Sequence, residues 1–203
     1  MEIKNIEFED SKNLFKITFS DDFLYANYEL YNDLLLSKGK ILNSDEFKAL
    51  KDFNDFNLNY SKAINFISYR IRTRKEIVDK LKKEGVDFIQ INKILDKLEE
   101  NGYIDDESFA KSYYESKSRI NAWSNKKIEY ELKNKGISQD ILNPLLLDHE
   151  DNDYKNARLL ALKKMPIWRK KYEGFKLKNK LYTFLASKGF KYDVIDKLMG
   201  ELL

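Results

Sequence analysis

The stretch IEYELKNKGI, residues 128–137, has two relatives in the same chain: IVDKLKKEGV at 77–86 and LYTFLASKGF at 181–190. Aligned on Gly85, Gly136 and Gly189, they stand 51 and 53 residues apart. Eight residues before each glycine are Ile77, Ile128 and Leu181, and four before are Leu81, Leu132 and Leu185. Val86, Ile137 and Phe190 follow directly. The register continues with Ile91, Leu142 and Ile195 at six, Ile94, Leu145 and Leu198 at nine, and Leu95, Leu146 and Met199 at ten. All 18 positions are apolar in a chain that is 42% apolar, so the match is not a product of composition. Positions −8 and −4 share one helix face. Glycine enters the left-handed conformation that closes a helix. Positions +6, +9 and +10 make the inward stripe of the next helix.

A helix precedes each copy, over 60–71, about 106–120 and about 153–164. Each repeat is therefore a three-helix bundle, too small to bury a large core by itself. The expected fold is mostly α: three tandem three-helix repeats forming an elongated curved array. A small N-terminal β-hairpin or meander plus a helix precedes them. The expected divisions are 1–59, 60–104, 105–150 and 151–203. In the first, Ile6 and Phe8, then Phe15, Ile17 and Phe19, alternate as in half-buried strands, and FLYANY (23–28) supplies a third strand. Leu30, Leu34 and Leu35 follow at helical spacing, and Ser44 caps a helix over 45–52. Thr73 with Glu76 reads as a capping box. Pro144 should kink or shorten its helix. Pro166 should close the helix ending in LKKM and open a long connector, PIWRKKYEGFK (166–176).

The 203 residues carry 37 Lys and Arg against 34 Asp and Glu, unevenly spread. Residues 1–59 hold 7 basic against 12 acidic groups, 60–104 hold 10 against 7, 105–153 hold 7 against 11, and 154–203 hold 13 against 4. The basic last third suits an acidic protein or a polyanion. Cysteine is absent, which excludes disulfides, thiolate zinc sites and a cysteine nucleophile, and fits a cytoplasmic protein. No apolar run is long enough for a membrane span, and MEIKNIEFED does not read as a signal peptide. There is no phosphate-binding glycine loop. His149 is the only histidine, expected at a helix end covering core. DDE (105–107) is expected to cap a helix rather than hold metal. No catalytic, metal or cofactor site is expected.

ISYRIRTRKEIVDKLKKEGV resembles the first repeat of the RecX family of recombinase regulators, with Arg70, Arg72 and Glu76 on the family pattern, Ile77 at its leucine position, and Thr73 replacing the usual serine while keeping the cap. NGYIDDESFAKSYYESKSR (101–119) resembles its second-repeat opening at Asp105, Asp106, Phe109 and Ala110. IEYELKNKGI and LYTFLASKGFKYDVIDKLM are similar to its middle and closing repeats. Trp123 departs from the family's small residues in that loop. The resemblance covers about 60–203. It implies a non-enzymatic modulator, mainly an inhibitor, that binds the RecA filament groove on single-stranded DNA. Weak non-specific DNA binding, no membrane association and a monomeric state accompany that expectation.

The candidate contact residues are Arg70, Arg72, Arg74 and Lys75 in the first repeat. Arg119, Lys126 and Lys127 follow in the second, then Arg169, Lys170, Lys171, Lys176, Lys178 and Lys180 in the third. Arginine offers a planar fork to carboxylate or phosphate. Trp123, Trp168 and Tyr172 lie among them, as interface anchors, as base-stacking platforms or as core. The alternative is a helix-turn-helix-like DNA-binding regulator reading with residues 88–100. Asp87, Asp96, Glu99 and Glu100 against Lys93 and Lys97 disfavour that helix beside phosphates.

Overall fold

The computed structural model describes residues 1–149 and 151–203. The chain divides into two compact bodies, 1–70 with 80–98 and 71–79 with 99–203.

In the first body, β1 (Asn5–Glu9), β2 (Leu14–Thr18) and β3 (Phe23–Ala26) form an antiparallel meander in the order β1-β2-β3. Phe8 faces Phe15 and Ile17 faces Leu24 across the strands. The paired strands bury Ile17 and Ala26 beside Ile3, Phe19, Leu36, Leu42 and Leu50. Phe8, expected to be half-buried, lies at the outer edge of that face and is 47% exposed. α1 (Tyr28–Asp33) is capped by Asn27, whose side chain accepts the Leu30 amide.

The helices expected over 45–52 and 60–71 are one helix, α2 (Ser44–Ser68), and its cap is Asn43 rather than Ser44. Asn43 and Glu46 form a reciprocal capping box. The stretch between the two expected helices is rich in turn-forming Asn and Asp. Here the asparagine side chains return to backbone carbonyls. Asn54 Nδ2 donates to Leu50 O and Tyr25 O at 2.7 and 2.8 Å, and its Oδ1 accepts the Tyr25 amide. Asn57 Nδ2 donates to Phe53 O. The helix thus continues and is pinned to β3.

The repeats are α3 (Arg74–Lys83) and α4 (Phe88–Glu100) after the end of α2, then α5 (Asp106–Asn121), α6 (Asn125–Asn134) and α7 (Gln139–Leu147), then α8 (Asn152–Trp168), α9 (Gly174–Ser187) and α10 (Tyr192–Leu202). Fifteen of the 18 aligned apolar residues are buried; Val86, Leu146 and Met199 are half-buried. The three glycines have φ of 79°, 88° and 86°, the left-handed closure expected of them. α7 carries Pro144 and spans only 9 residues, against 13 in α4 and 11 in α10. Pro166 does not close α8. The helix runs two residues further, to Trp168, and the connector shrinks to 169–173. The carbonyl that Pro166 leaves without its helical donor is that of Leu162, on the exposed side of α8, where water can serve it.

In the second body, consecutive repeats meet through one recurring joint. Thr73 caps α3, accepting the Glu76 amide at 3.2 Å while Glu76 reaches back to the Thr73 amide. The same hydroxyl donates to Lys135 O at 2.7 Å. One residue on, the Arg74 amide donates to Asp106 Oδ1 at 2.9 Å. At the next joint Ser124 caps α6 by accepting the Lys127 amide and donates to Lys188 O at 2.9 Å. The Asn125 amide donates to Asp153 Oδ1 at 2.6 Å. In each case the start of one repeat's middle helix is held by the next repeat's first helix and by the carbonyl preceding that repeat's closing glycine. The orphan amides of a helix start are satisfied here without water.

Candidate partner-binding surfaces

The thirteen candidate cations differ in how far the fold engages them. Arg70 is exposed and Arg72 is half-buried. Arg74 is ion-paired with Glu99, and Lys75 Nζ donates to Asn134 O at 2.9 Å. Arg169 donates to Leu202 O at 2.7 Å. These last three are partly engaged in holding the fold. Arg119 sits on α5 beside Glu115 and Ile120, and Lys126 opens onto a shallow groove with Asp153 and Lys191. Lys170, Lys171, Lys176 and Lys178 are exposed. Lys127 and Lys180 each stand in a group of aromatics and further lysines.

The group in the second repeat is built by a helix end. α5 closes at Ala122 in the left-handed conformation (φ 50°), and the Trp123 amide returns to Lys117 O at 3.2 Å. This closure is one residue wider than the six-to-one bond of a Schellman turn. It sets the indole beside the last turns of α5. Lys127 Nζ lies 3.9 Å above the Trp123 ring centre and Lys117 Nζ 5.2 Å from it. Lys117 also lies 5.3 Å from the Tyr113 ring, and Lys135 lies 5.7 Å from Tyr113 and 5.8 Å from Phe109. Phe109 and Tyr113 stack one helical turn apart. Aromatics and ammoniums alternate along this surface, each cation resting on a ring quadrupole. Burial raises the Tyr113 pKa, with Glu131 adding to it. Lys135 is half-buried and pairs with Glu76 at 3.1 Å.

In the third repeat, Lys164, Trp168, Lys180 and Phe184 line one groove. Trp168 meets Phe184 edge-on at 5.3 Å, and Lys188 lies 5.7 Å from Phe184. Trp168 and Tyr172 are half-buried against the repeat's core, so they serve core and surface together.

The carboxylates of DDE have separate tasks. Asp105 caps α5 through the Ser108 amide and hydroxyl, which holds its pKa down. Asp106 accepts the Arg74 amide, and its pKa is raised by burial. Glu107 pairs with Lys111. His149 stacks on the buried Tyr114 ring at 4.4 Å, a core-covering role.

Sequence reasoning passed over Lys117, Lys135, Lys164 and Lys188. The signal was present: Lys127 and Lys180 stand nine residues before Gly136 and Gly189, and Lys135 and Lys188 one before.

Models of the first, second and third three-helix domains of RecX match residues 60–98, 105–143 and 150–199. The chain belongs to the RecX family. The regulatory protein RecX of Finegoldia magna is 32% identical over 203 residues, covering 98% of this chain and 99% of that one. A RecX of Clostridium botulinum (strain Eklund 17B) is 33% identical, over 80% of this chain and 76% of its own length. A crystal structure of regulatory protein RecX superposes with a TM-score of 0.81 at 25% identity, covering 98% of both chains. RecX from Lactobacillus salivarius gives 0.67 at 31% identity over 73% of this chain and 96% of that one. The family is one of regulatory proteins. Among the described residues no helix is long and apolar enough to cross a membrane.

Proposed function

We propose that this RecX-family chain is a non-enzymatic modulator, mainly an inhibitor, of the RecA recombinase. It acts in the cytoplasm as a monomer, binding the groove of the RecA filament on single-stranded DNA. Filament growth, ATP hydrolysis and strand exchange are what it tunes. The observation that carries this reading is the match to a RecX regulatory protein over 98% of this chain and 99% of that one, together with the three RecX domain models in order along this chain. The division at 1–59, 60–104, 105–150 and 151–203 belongs to the same reading, each repeat offering its own contact surface. The thirteen candidate cations would contribute unequally, since Arg74, Lys75 and Arg169 also serve the fold. The helix-turn-helix reading gains nothing from α4, which buries Ile91, Ile94, Leu95 and Leu98 and carries acidic groups along its exposed side.

The test is RecA ATPase and strand exchange on single-stranded DNA with the protein added below RecA stoichiometry. Both rates should fall several-fold. Unchanged rates together with no binding to the filament would refute the proposal. A salt-sensitive preference for one duplex sequence, without a RecA effect, would favour the DNA-binding alternative.

A further inference from the structure

Two lysines stand by each of the chain's two tryptophans, Lys117 and Lys127 by Trp123 and Lys164 and Lys180 by Trp168, and a third, Lys135 or Lys188, lies over neighbouring aromatics; the three pairs occupy equivalent repeat positions. Counting back from the closing glycines pairs Lys127 with Lys180 and Lys135 with Lys188. Counting 11 residues forward from the joint aspartates, Asp106 and Asp153, pairs Lys117 with Lys164. The third repeat's three lysines are exposed and the second repeat's three are half-buried, and none belongs to the buried apolar register. In the first repeat the glycine frame places Glu76 and Glu84 where the others have lysine.

We infer that the second and third repeats carry two equivalent docking sites for acidic side chains of a protein partner, each built from three lysines on an aromatic floor. The inference rests on the reading that the partner is a protein, RecA. Three observations support a carboxylate occupant. The chain already supplies one: Lys135 holds Glu76 at 3.1 Å while lying over Phe109 and Tyr113. The others, Lys117, Lys127, Lys164, Lys180 and Lys188, have no ion pair among the described residues. Among the described residues no carboxylate neutralises these five charges.

Next, the Trp123 ring is covered. With Lys127 at 3.9 Å and Lys117 at 5.2 Å from the Trp123 centre, the indole supports cations more than it offers an open face for a stacking base. Last, the surroundings of the first site are acidic. Residues 105–153 hold 11 Asp and Glu against 7 Lys and Arg, and Glu76 and Glu131 border the lysines. A long nucleic-acid polyanion would meet those carboxylates, whereas a short acidic segment would meet only the lysines. Two equivalent sites suit a partner whose acidic segment recurs, and joint occupancy then multiplies two weak affinities.

The test uses the full chain carrying Lys127→Glu, Lys180→Glu or both, with Lys111→Glu as the surface control. Binding is titrated against poly-L-glutamate, against an oligo-dT strand and against RecA filaments. Each single change should weaken poly-glutamate and filament binding several-fold, the double change by at least the product, and Lys111→Glu should leave both intact. The pair Lys117→Glu and Lys164→Glu, on the first helices, must repeat the pattern. This guards against a folding defect at the joint beside Lys127. If oligo-dT binds more tightly than poly-glutamate and is lost in the same variants, the sites are nucleic-acid sites and the inference is overturned. If the double variant still regulates RecA like the parent chain, the inference fails and the RecA reading stands. If the parent chain binds poly-glutamate through these lysines but leaves RecA unaffected, the RecA reading fails and the sites remain as generic acidic-segment sites.

Discussion

The two inter-repeat joints use the same hydrogen bonds with different clearances. At the first, a β-carbon on Gly136 would lie 2.4 Å from Lys75 Cβ, the stiff base of a neighbouring side chain. At the second, a β-carbon on Gly189 would lie 2.7 Å from Ser124 Oγ, the hydroxyl that bonds Lys188 O, and 3.8 Å from Lys127 Cβ. The first repeat's own closing glycine, Gly85, has nothing within 4 Å of that point. The glycines at the joints therefore do two things. All three supply the left-handed turn, and two also admit the neighbouring repeat's cap. The repeat motif records the first role and is silent on the second.

Substituting alanine at each glycine separates those roles, and the largest effects are expected here. Gly85→Ala meets only the backbone strain of a left-handed alanine, about 1–2 kcal/mol. Gly189→Ala adds displacement of the Ser124 hydroxyl from its carbonyl, raising the loss to about 2–3 kcal/mol. Gly136→Ala forces Lys75 and its helix outward, and overpacking brings the loss to about 3–4 kcal/mol. Thermal midpoints followed by circular dichroism should fall in that order. Equal losses at all three would mean that close approach at the joints has no energetic weight.

A smaller effect isolates the hydroxyl. Ser124 is fully buried, accepts the Lys127 amide and donates to Lys188 O. Ser124→Ala leaves both groups unsatisfied and should lower stability by about 1–2 kcal/mol. Ser124→Thr keeps the hydroxyl chemistry present at Thr73 and should lose less. If alanine and threonine at 124 unfold at the same urea concentration, the shared cap chemistry is not what holds this joint.

The repeat frame was legible because helix–glycine–helix packing imposes one apolar register, and each aligned residue is buried or half-buried. The joints were not legible. Arg74 and Asp106 are 32 residues apart and meet through a backbone amide, which has no side-chain signature. The continuity of α2 was not legible either: Asn54 and Asn57 are turn-forming residue types, and only the fold reveals carbonyls within their reach. The reading of Pro166 failed for a related reason. A missing helix bond matters little where its carbonyl faces water. The lysine–tryptophan groups were partly legible. Lys127 and Lys180 share a position in the glycine frame, but Lys117 and Lys164 fall into line only when the joint aspartates set the origin.

Those aspartates give the smallest and most specific effect. Asp153 is nearly inaccessible, and its pKa is raised chiefly by burial. The Asn125 amide and Lys191 pull it down, and Asp193 pushes it up. A carboxyl with a raised native pKa keeps its proton longer in the folded chain than in the unfolded one. Its contribution to stability is greatest below the unfolded value of about 3.9. The contribution falls as pH rises to the native pKa and is level above it. Asp105 works in the opposite sense, since its lowered pKa favours the fold as pH rises, so whole-protein pH curves would mix the two. Asp153→Asn avoids that mixture by keeping an acceptor for the Asn125 amide while removing the titration. Urea unfolding of parent and variant from pH 4 to 7 should show the variant gaining relative stability as pH rises, then holding steady. A difference independent of pH would mean that Asp153 is not desolvated at the joint.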